Sequence, residues 1–175
     1  MNILYCKGQQ LFIARLRRLK NTLFYGDNLD VLRNDIKGES VDLCYIDPPF
    51  NSNRNYHQIY NNLGNEDNAL SQAFADTWSW DMRAELEMAE IEGNYDGVFT
   101  EQVINLLAGL EKVINKGSLL AYLVSLTVRI AEIYRLLKPT GSFYLHCDPT
   151  ASHYLKLICD AIFCAKRNGQ FQNEI

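Results

Sequence analysis

Residues 21–47 have the sequence NTLFYGDNLDVLRNDIKGESVDLCYID, which predicts a strand, a helix and a second strand in succession. The apolar run at 21–27 ends in a Gly-Asp turn. Residues 28–38 follow as a short helix that Gly38 ends. Its inward-facing residues are Leu29, Val31, Leu32 and Ile36. Residues 41–47 are apolar enough to be covered on both faces, as strands of parallel sheets are, and the unit therefore favours an α/β fold.

The later part of the chain continues this alternation of helices and strands. Helical patterns cover 101–116 and 118–137, and the KPTGS that follows ends the second of them. The sequence SFYLHCD (142–148) predicts a third buried strand. Asp148 and Pro149 then begin the last helix as its N-cap and first residue. The predicted fold class is α/β, with at least three parallel strands and covering helices.

The length of 175 residues suits a single domain. We expect an N-terminal extension at 1–20 and the domain proper at 21–175. The domain contains a long polar, Asn-rich insertion at about 51–100, and insertions of this length are usually functional or disordered. Within the insertion, the acidic run DMRAELEMAEIEGNYD (81–96) predicts a solvated helix with its cap.

The composition, 47% hydrophobic and 22% charged, is that of a soluble globular protein. The longest apolar stretch carries Arg129, Glu132 and Arg135 at helical spacing, which predicts an amphipathic helix and not a membrane span. The first 20 residues lack the order of a signal peptide, so a cytoplasmic location is expected. The net charge of −4 weighs mildly against nucleic-acid binding, although local patches can still contact phosphates. The five cysteines and three histidines form no metal-ligand pattern, and no metal is expected.

Three predicted strands end in or next to an aspartate, and ligands of open parallel sheets bind at that carboxyl edge. Asp148 is sufficiently explained as a helix cap. Asp27 is either a cap for the helix that begins at Asn28 or a ligand-binding residue. Asp47 differs from both, because Pro48 and Pro49 follow it and it begins no helix. Asp47 is therefore the strongest functional candidate.

The tetrapeptide DPPF at the end of a strand resembles motif IV of the DNA methyltransferases that modify adenine N6 or cytosine N4. The similarity extends over LFYGDNLDVL, ESVDLCYIDPPFNSNRNY and LLKPTGSFYLHCDPTASHYLKLICDAIF. It covers roughly Leu23–Tyr56 and Ala121–Ile175, and the motifs have the order of the permuted β-class of these enzymes. In that class the catalytic half of the sequence precedes the cofactor-binding half.

The resemblance implies an incomplete Rossmann-like methyltransferase sheet, with 21–175 as a partial methyltransferase domain. The implied methyl donor is S-adenosylmethionine, and the implied substrate is double-stranded DNA with one base flipped out. The catalytic positions are Asp47, Pro48, Pro49 and Phe50, and the cofactor-binding positions are Asp27, Asn28 and Asp47. HCDPTASH matches the following strand and helix start, where His146 and His153 are expected to be packed or hydrogen-bonded and not catalytic.

The residues of DPPF also suit methylation of an exocyclic amine on chemical grounds alone. The exocyclic amine of a base is a poor nucleophile because its lone pair is delocalised into the ring, so the base must be extruded and held. The Asp47 carboxylate and the Pro48 carbonyl can each accept one amine hydrogen. Pro48 and Pro49 have no N–H that competes for these acceptors. Phe50 offers a flat face on which the base can stack, worth about 1–3 kcal/mol.

The sequence lacks the Phe-x-Gly-x-Gly cofactor loop of this family, and its closest glycines are Gly93 and Gly97. Three hypotheses follow. The chain is the catalytic-motif half of a truncated enzyme, or one half of a split enzyme whose second chain supplies the cofactor loop and the target-recognition region. Alternatively, it is a non-catalytic remnant or partner subunit that binds nucleotide, DNA or protein. A methyltransferase acting on RNA or on a protein amide is a related alternative. A restriction-enzyme partner is expected from the family alone.

Overall fold

The computed structural model describes residues 2–7, 10–15, 22–24, 26–49 and 78–165. The strands in these ranges are β1 (Asn2–Lys7), β2 (Gln10–Arg15), β3 (Thr22–Phe24), β4 (Val41–Asp47) and β5 (Leu137–Leu145). The helices are α1 (Asn28–Asn34), α2 (Met82–Gly93), α3 (Glu101–Ile114), α4 (Ser118–Leu136) and α5 (Pro149–Cys159). A π-helical turn, Asp160–Cys164, continues α5.

The five strands form one sheet in the order β3-β2-β1-β4-β5. β4 pairs in parallel with β1 and with β5, whereas β2 is antiparallel to both of its neighbours. Three adjacent parallel strands, β1, β4 and β5, therefore end at the same edge of the sheet. The α/β class is confirmed, and two of the three predicted strands, β4 and β5, are adjacent and parallel. The remaining predicted strand, β3, pairs with β2 in antiparallel fashion, and the third parallel strand is β1. β1 and β2, which belong to the segment interpreted as an N-terminal extension, were not predicted as strands.

The predicted strand–helix–strand unit is present. The four inward-facing residues of its helix are all buried: Leu29, Val31, Leu32 and Ile36. The helix is shorter than predicted and ends at Asn34, four residues before Gly38. The amides of Glu39 and Ser40 donate to the carbonyls of Arg135 and Leu136 at the end of α4, 3.0 and 2.9 Å away. These long-range hydrogen bonds hold the turn before β4, in which Glu39 has a φ of 52°.

Helix α4 is the centre of the core. Fifteen of its 19 residues are buried, and it packs against α1, α2, α3 and α5. Its three charged side chains pair with residues of other elements or of α4 itself. None of the helices in the described ranges is long and apolar enough to cross a membrane.

Three further sequence predictions agree with the structure. KPTG follows the end of α4 at Leu136 and forms an irregular start of β5, since Val41 pairs with Leu137 but Leu43 pairs with Ser142. Asp148 caps α5, and Pro149 opens it. α2 lies inside the polar insertion with Asp81 as its N-cap, although one of its faces is buried and not solvated. The first part of that insertion, at 51–77, lies outside the described residues.

β4 is less covered than the sequence suggested. Cys44 and Ile46 are buried against the helices, whereas Leu43, Tyr45 and Asp47 remain partly exposed. Because side chains alternate between the faces of a strand, these three residues share the second face of the sheet. The prediction of a strand buried on both faces was therefore wrong for the described part of the structure.

Candidate active site at the carboxyl edge of the sheet

Asp47 is the last residue of β4, and its side chain is 21% exposed at the carboxyl edge of the sheet. Pro48 and Pro49 follow it, both partly buried. Since neither proline has a backbone N–H, the ladder with the neighbouring strands cannot continue through them. The carboxylate thus emerges where the sheet stops. Phe50, the fourth residue of the predicted catalytic motif, lies outside the described residues.

His146 lies beside Asp47 at the end of the adjacent strand. Its backbone amide donates to the Ile46 carbonyl at 2.9 Å, which extends the β4–β5 ladder by one residue beyond β5. Its Nδ1 atom is 3.9 Å from Oδ1 of Asp47, and the His146 side chain is 56% exposed. At this separation the two atoms are close but not hydrogen-bonded to each other. The structure thus pairs an imidazole with the predicted catalytic carboxylate.

The sequence predicted His146 to be packed or hydrogen-bonded and not catalytic, and it did not predict that His146 lies beside Asp47. Part of the signal was available, because YID (45–47) and LHCD (145–148) end two strands that were both predicted to be parallel. The deciding fact, that these strands are neighbours and end at the same level, depends on the register Ile46↔Leu145. His153 is exposed on α5.

Asp148, on the same edge, has a structural role. Its Oδ1 accepts hydrogen bonds from the amide and the hydroxyl of Thr150, at 2.8 and 2.6 Å. These bonds lower the pKa of Asp148 below its usual value. The geometry is that of a helix N-cap, and it confirms the interpretation of Asp148 as a cap.

Asp27 and Asn28, predicted to bind the cofactor, lie on a different part of the sheet from Asp47. Asp27 follows β3, and β2 and β1 separate β3 from β4. Three strand spacings of about 4.8 Å each correspond to roughly 14 Å across the sheet. The structure therefore brings Asp47 close to His146 but not to Asp27.

Asp27 caps α1 and takes part in two ion pairs. Its Oδ1 accepts from the Leu29 amide at 2.9 Å and lies 3.3 Å from Nη2 of Arg129, while its Oδ2 lies 2.5 Å from Nη2 of Arg83. Burial raises the pKa of Asp27, but the combined effect of Arg129, the Leu29 amide and Arg83 is larger and opposite. The pKa of Asp27 therefore lies below its ordinary value. Asp27 is thus a cap, as one of the two sequence interpretations held.

Arg129 connects Asp27 to a buried polar cluster. Its Nε donates to Oδ1 of Asn28 at 2.8 Å, and its Nη1 donates to the carbonyl and the hydroxyl of Ser125 at 2.9 and 2.7 Å. Nη1 also lies 3.3 Å from a carboxylate oxygen of Glu87. Asn28 is 7% exposed. These contacts link α1, α2 and α4, and the cofactor role of Asp27 and Asn28 stays a prediction.

A cleft of about 370 Å³ lies away from Asp47, between α1, α2 and α4. Arg33 and Arg135 line it, and both arginines pair with Glu132. It lies at the C-terminal ends of α1 and α4, which lead into the amino ends of β4 and β5. Among the described residues, no group of three or more His, Cys, Asp or Glu side chains could hold a metal ion.

Comparison with known proteins gives one family and several relatives. The family model of the N6/N4 methyltransferases, described as DNA methylase, matches residues 41–175. The chain is 29% identical over 153 residues to the Mod subunit of the Type III restriction-modification enzyme StyLTI of Salmonella typhimurium. It is 26% identical over 156 residues to the EcoPI Mod subunit of Escherichia phage P1, and 25% identical over 156 residues to the EcoP15I Mod subunit of Escherichia coli.

These alignments cover 82–86% of the chain but only 19–20% of each relative. The chain therefore spans about a fifth of the length of the curated relatives it matches. No solved structure matches it significantly.

Proposed function

Because the chain belongs to the N6/N4 family of DNA methylases, we propose that it carries the catalytic motif for transfer of a methyl group from S-adenosylmethionine to the exocyclic amine of adenine (N6) or cytosine (N4) in DNA. The observation that carries the proposal is the partly exposed Asp47 carboxylate at the end of β4, directly before two prolines. The sheet would be part of a Rossmann-like methyltransferase sheet, and the double-stranded DNA would present one flipped base.

The roles of the motif follow from the chemistry of the amine. Asp47 and the Pro48 carbonyl each accept one amine hydrogen, which draws the lone pair out of the ring and aims it. Pro49 keeps the backbone rigid and free of a competing donor, and Phe50 stacks on the base. In this reaction the base nitrogen would bond to the methyl carbon as the bond from that carbon to sulfur breaks. The sulfur would keep the electron pair and leave as a neutral thioether, and the surplus proton of the amine would pass to solvent. Alignment of the reacting atoms is the main contribution of the protein.

S-adenosylmethionine supplies the activated methyl group and carries a positive sulfonium charge. A carboxylate at an open sheet edge suits that charge, and Asp47 meets this requirement. The resemblance also assigns Asp27 and Asn28 to the adenosine. Asp27 suits this assignment better than Asn28, because its side chain is 26% exposed whereas Asn28 is 7% exposed and bonded to Arg129.

We also propose partners for this chain. The relatives are Mod subunits of restriction-modification enzymes, and this supports a restriction enzyme as a partner of the protein. We further propose that a Phe-x-Gly-x-Gly segment for the cofactor and a target-recognition region come from sequence outside these 175 residues, in a longer protein or in a second chain. The protein would act in the cytoplasm.

The test compares two aspartates on the same sheet edge. DNA is incubated with methyl-tritiated S-adenosylmethionine and the chain, both alone and combined with a protein that carries the Phe-x-Gly-x-Gly half. Asp47→Ala should lower label incorporation by about 100-fold or more, as removal of one preorganised hydrogen-bonding group does in other active sites. Asp148→Asn is the matched control, because asparagine also caps helices and the rate should be unchanged. Equal loss in both variants would contradict the role of Asp47.

A further inference from the structure

Asp47 and His146 present their side chains on the same side of the sheet. Tyr45 and Tyr144 are register partners and therefore lie on the same face. Asp47 is two residues after Tyr45, and His146 is two residues after Tyr144, so both share that face. Tyr144 is 47% exposed and His146 is 56% exposed, so this face is accessible next to the carboxylate.

The pair offers one acceptor and one donor about 4 Å apart, namely Oδ1 of Asp47 and Nδ1 of His146. A carboxylate only accepts hydrogen bonds, whereas an imidazole nitrogen donates when it carries the proton. The 3.9 Å separation is too long for a direct hydrogen bond between the two atoms. A spacing of this size suits contact of the two groups with neighbouring atoms of one ligand.

Adenine and cytosine present the complementary pattern on their Watson–Crick edges. In each base the exocyclic amine, a donor, stands next to a ring nitrogen that accepts: N1 in adenine and N3 in cytosine. Enzymes that act on flipped bases commonly recognise them through this edge. The amine of guanine, in contrast, stands next to a ring N–H, which would face the imidazole N–H donor to donor.

We propose that His146 is a base-recognition residue, whose Nδ1–H donates to the ring nitrogen beside the amine held by Asp47. This inference rests on the proposed function and extends it, because it names the group that reads the base. Asp47 takes the amine hydrogen on the Watson–Crick side, and the Pro48 carbonyl takes the other one. The His146 backbone is fixed for this role by its bond to the Ile46 carbonyl and by the Asp148 cap that follows.

The experiment removes the ring nitrogen from the ligand and the imidazole from the protein. 2′-Deoxyadenosine and 2′-deoxycytidine, and their 1-deaza and 3-deaza analogues, are titrated into the chain while the histidine side-chain resonances are followed by NMR. One hydrogen bond corresponds to about a fivefold difference in Kd. The wild-type chain should bind at least one natural nucleoside about fivefold more tightly than its deaza analogue. In His146→Ala this ratio should fall to about one.

His153→Ala is the matched control, because it removes an exposed histidine on α5 and should keep the fivefold ratio. His146→Gln restores an N–H donor and should recover part of it. A ratio that persists in His146→Ala, or a wild-type chain that does not distinguish or does not bind the nucleosides, would overturn the assignment. Because the readout is binding, absence of methyl transfer alongside a His146-dependent ratio would count against the proposed function and leave base recognition standing.

Discussion

Replacement of Arg129 should be costly for the stability of the fold. It contacts residues of α1, α2 and α4, and its side chain is 12% exposed. In Arg129→Met, the aliphatic part of the side chain is retained, but the amide oxygen of Asn28 and the carboxylate of Glu87 lose a partner while they remain buried. A buried charge left without its partner costs about 3–5 kcal/mol.

The contacts place the expected cost near the lower end of that range. Asp27 and Glu87 both retain Arg83, which lies 2.5 and 3.3 Å from them, so neither carboxylate becomes fully unpaired. We therefore expect Arg129→Met to lower the free energy of unfolding by about 3 kcal/mol, a large part of the roughly 5–15 kcal/mol of a typical domain. Urea denaturation followed by circular dichroism measures this change as a lower midpoint at an unchanged slope.

Two further variants make the result decisive. Arg129→Lys keeps the positive charge but loses the branched donor geometry, and should lose less stability than Arg129→Met. Lys116→Met removes an exposed cation that pairs with Glu85, and its midpoint should match that of the wild type. A loss of less than about 1 kcal/mol in Arg129→Met would refute the view that this cluster fixes the helices.

Three further predictions follow from particular contacts. The pKa of Asp27 is lowered in the folded state, so the stability that its carboxylate contributes should be complete above its ordinary pKa and be lost as the pH falls through the lowered value. In urea titrations from pH 6 to 2, the free energy of unfolding of Asp27→Asn should therefore fall less with acidification than that of the wild type. Thr100 caps α3 and donates to the Ala161 carbonyl at 2.8 Å, so Thr100→Ala should lower the free energy of unfolding by about 1–2 kcal/mol. Thr100→Ser keeps the hydroxyl and should retain most of the wild-type stability in the same urea assay. Burial raises the pKa of Cys159 to about 12, whereas Cys164 is exposed, so mass spectrometry should detect iodoacetamide on Cys164 well before Cys159 at pH 8.

Local sequence signals predicted the elements whose determinants lie within a few residues. The apolar spacing from Leu29 to Ile36 and the Asp148-Pro149 start of α5 are of this kind, and both match the structure. The strands β1 and β2 were missed, although a glycine between two apolar runs is a recognised hairpin signal. The end of α1 was misplaced because backbone bonds to α4, almost 100 residues away, hold the turn that follows.

In the candidate site, too, the sequence predicted what depends on neighbouring residues and missed what depends on distant ones. Asp47 stood out from the sequence because two prolines follow it and it begins no helix. His146 did not stand out, because its position beside Asp47 depends on the pairing of strands that are about 100 residues apart in sequence. The partners of Asp27, at separations of 56 and 102 residues, were likewise beyond the reach of local patterns.

In the proposed function, Asp47 presents an exocyclic amine of a DNA base for methylation. The most direct measurement is to label DNA with tritiated S-adenosylmethionine in the reconstituted reaction, digest it to nucleosides and separate them by chromatography. We expect the label to co-elute with N6-methyldeoxyadenosine or N4-methyldeoxycytidine and to fall by about 100-fold or more in Asp47→Ala. Label in 5-methyldeoxycytidine, or label at the wild-type level in Asp47→Ala, would contradict this role of Asp47.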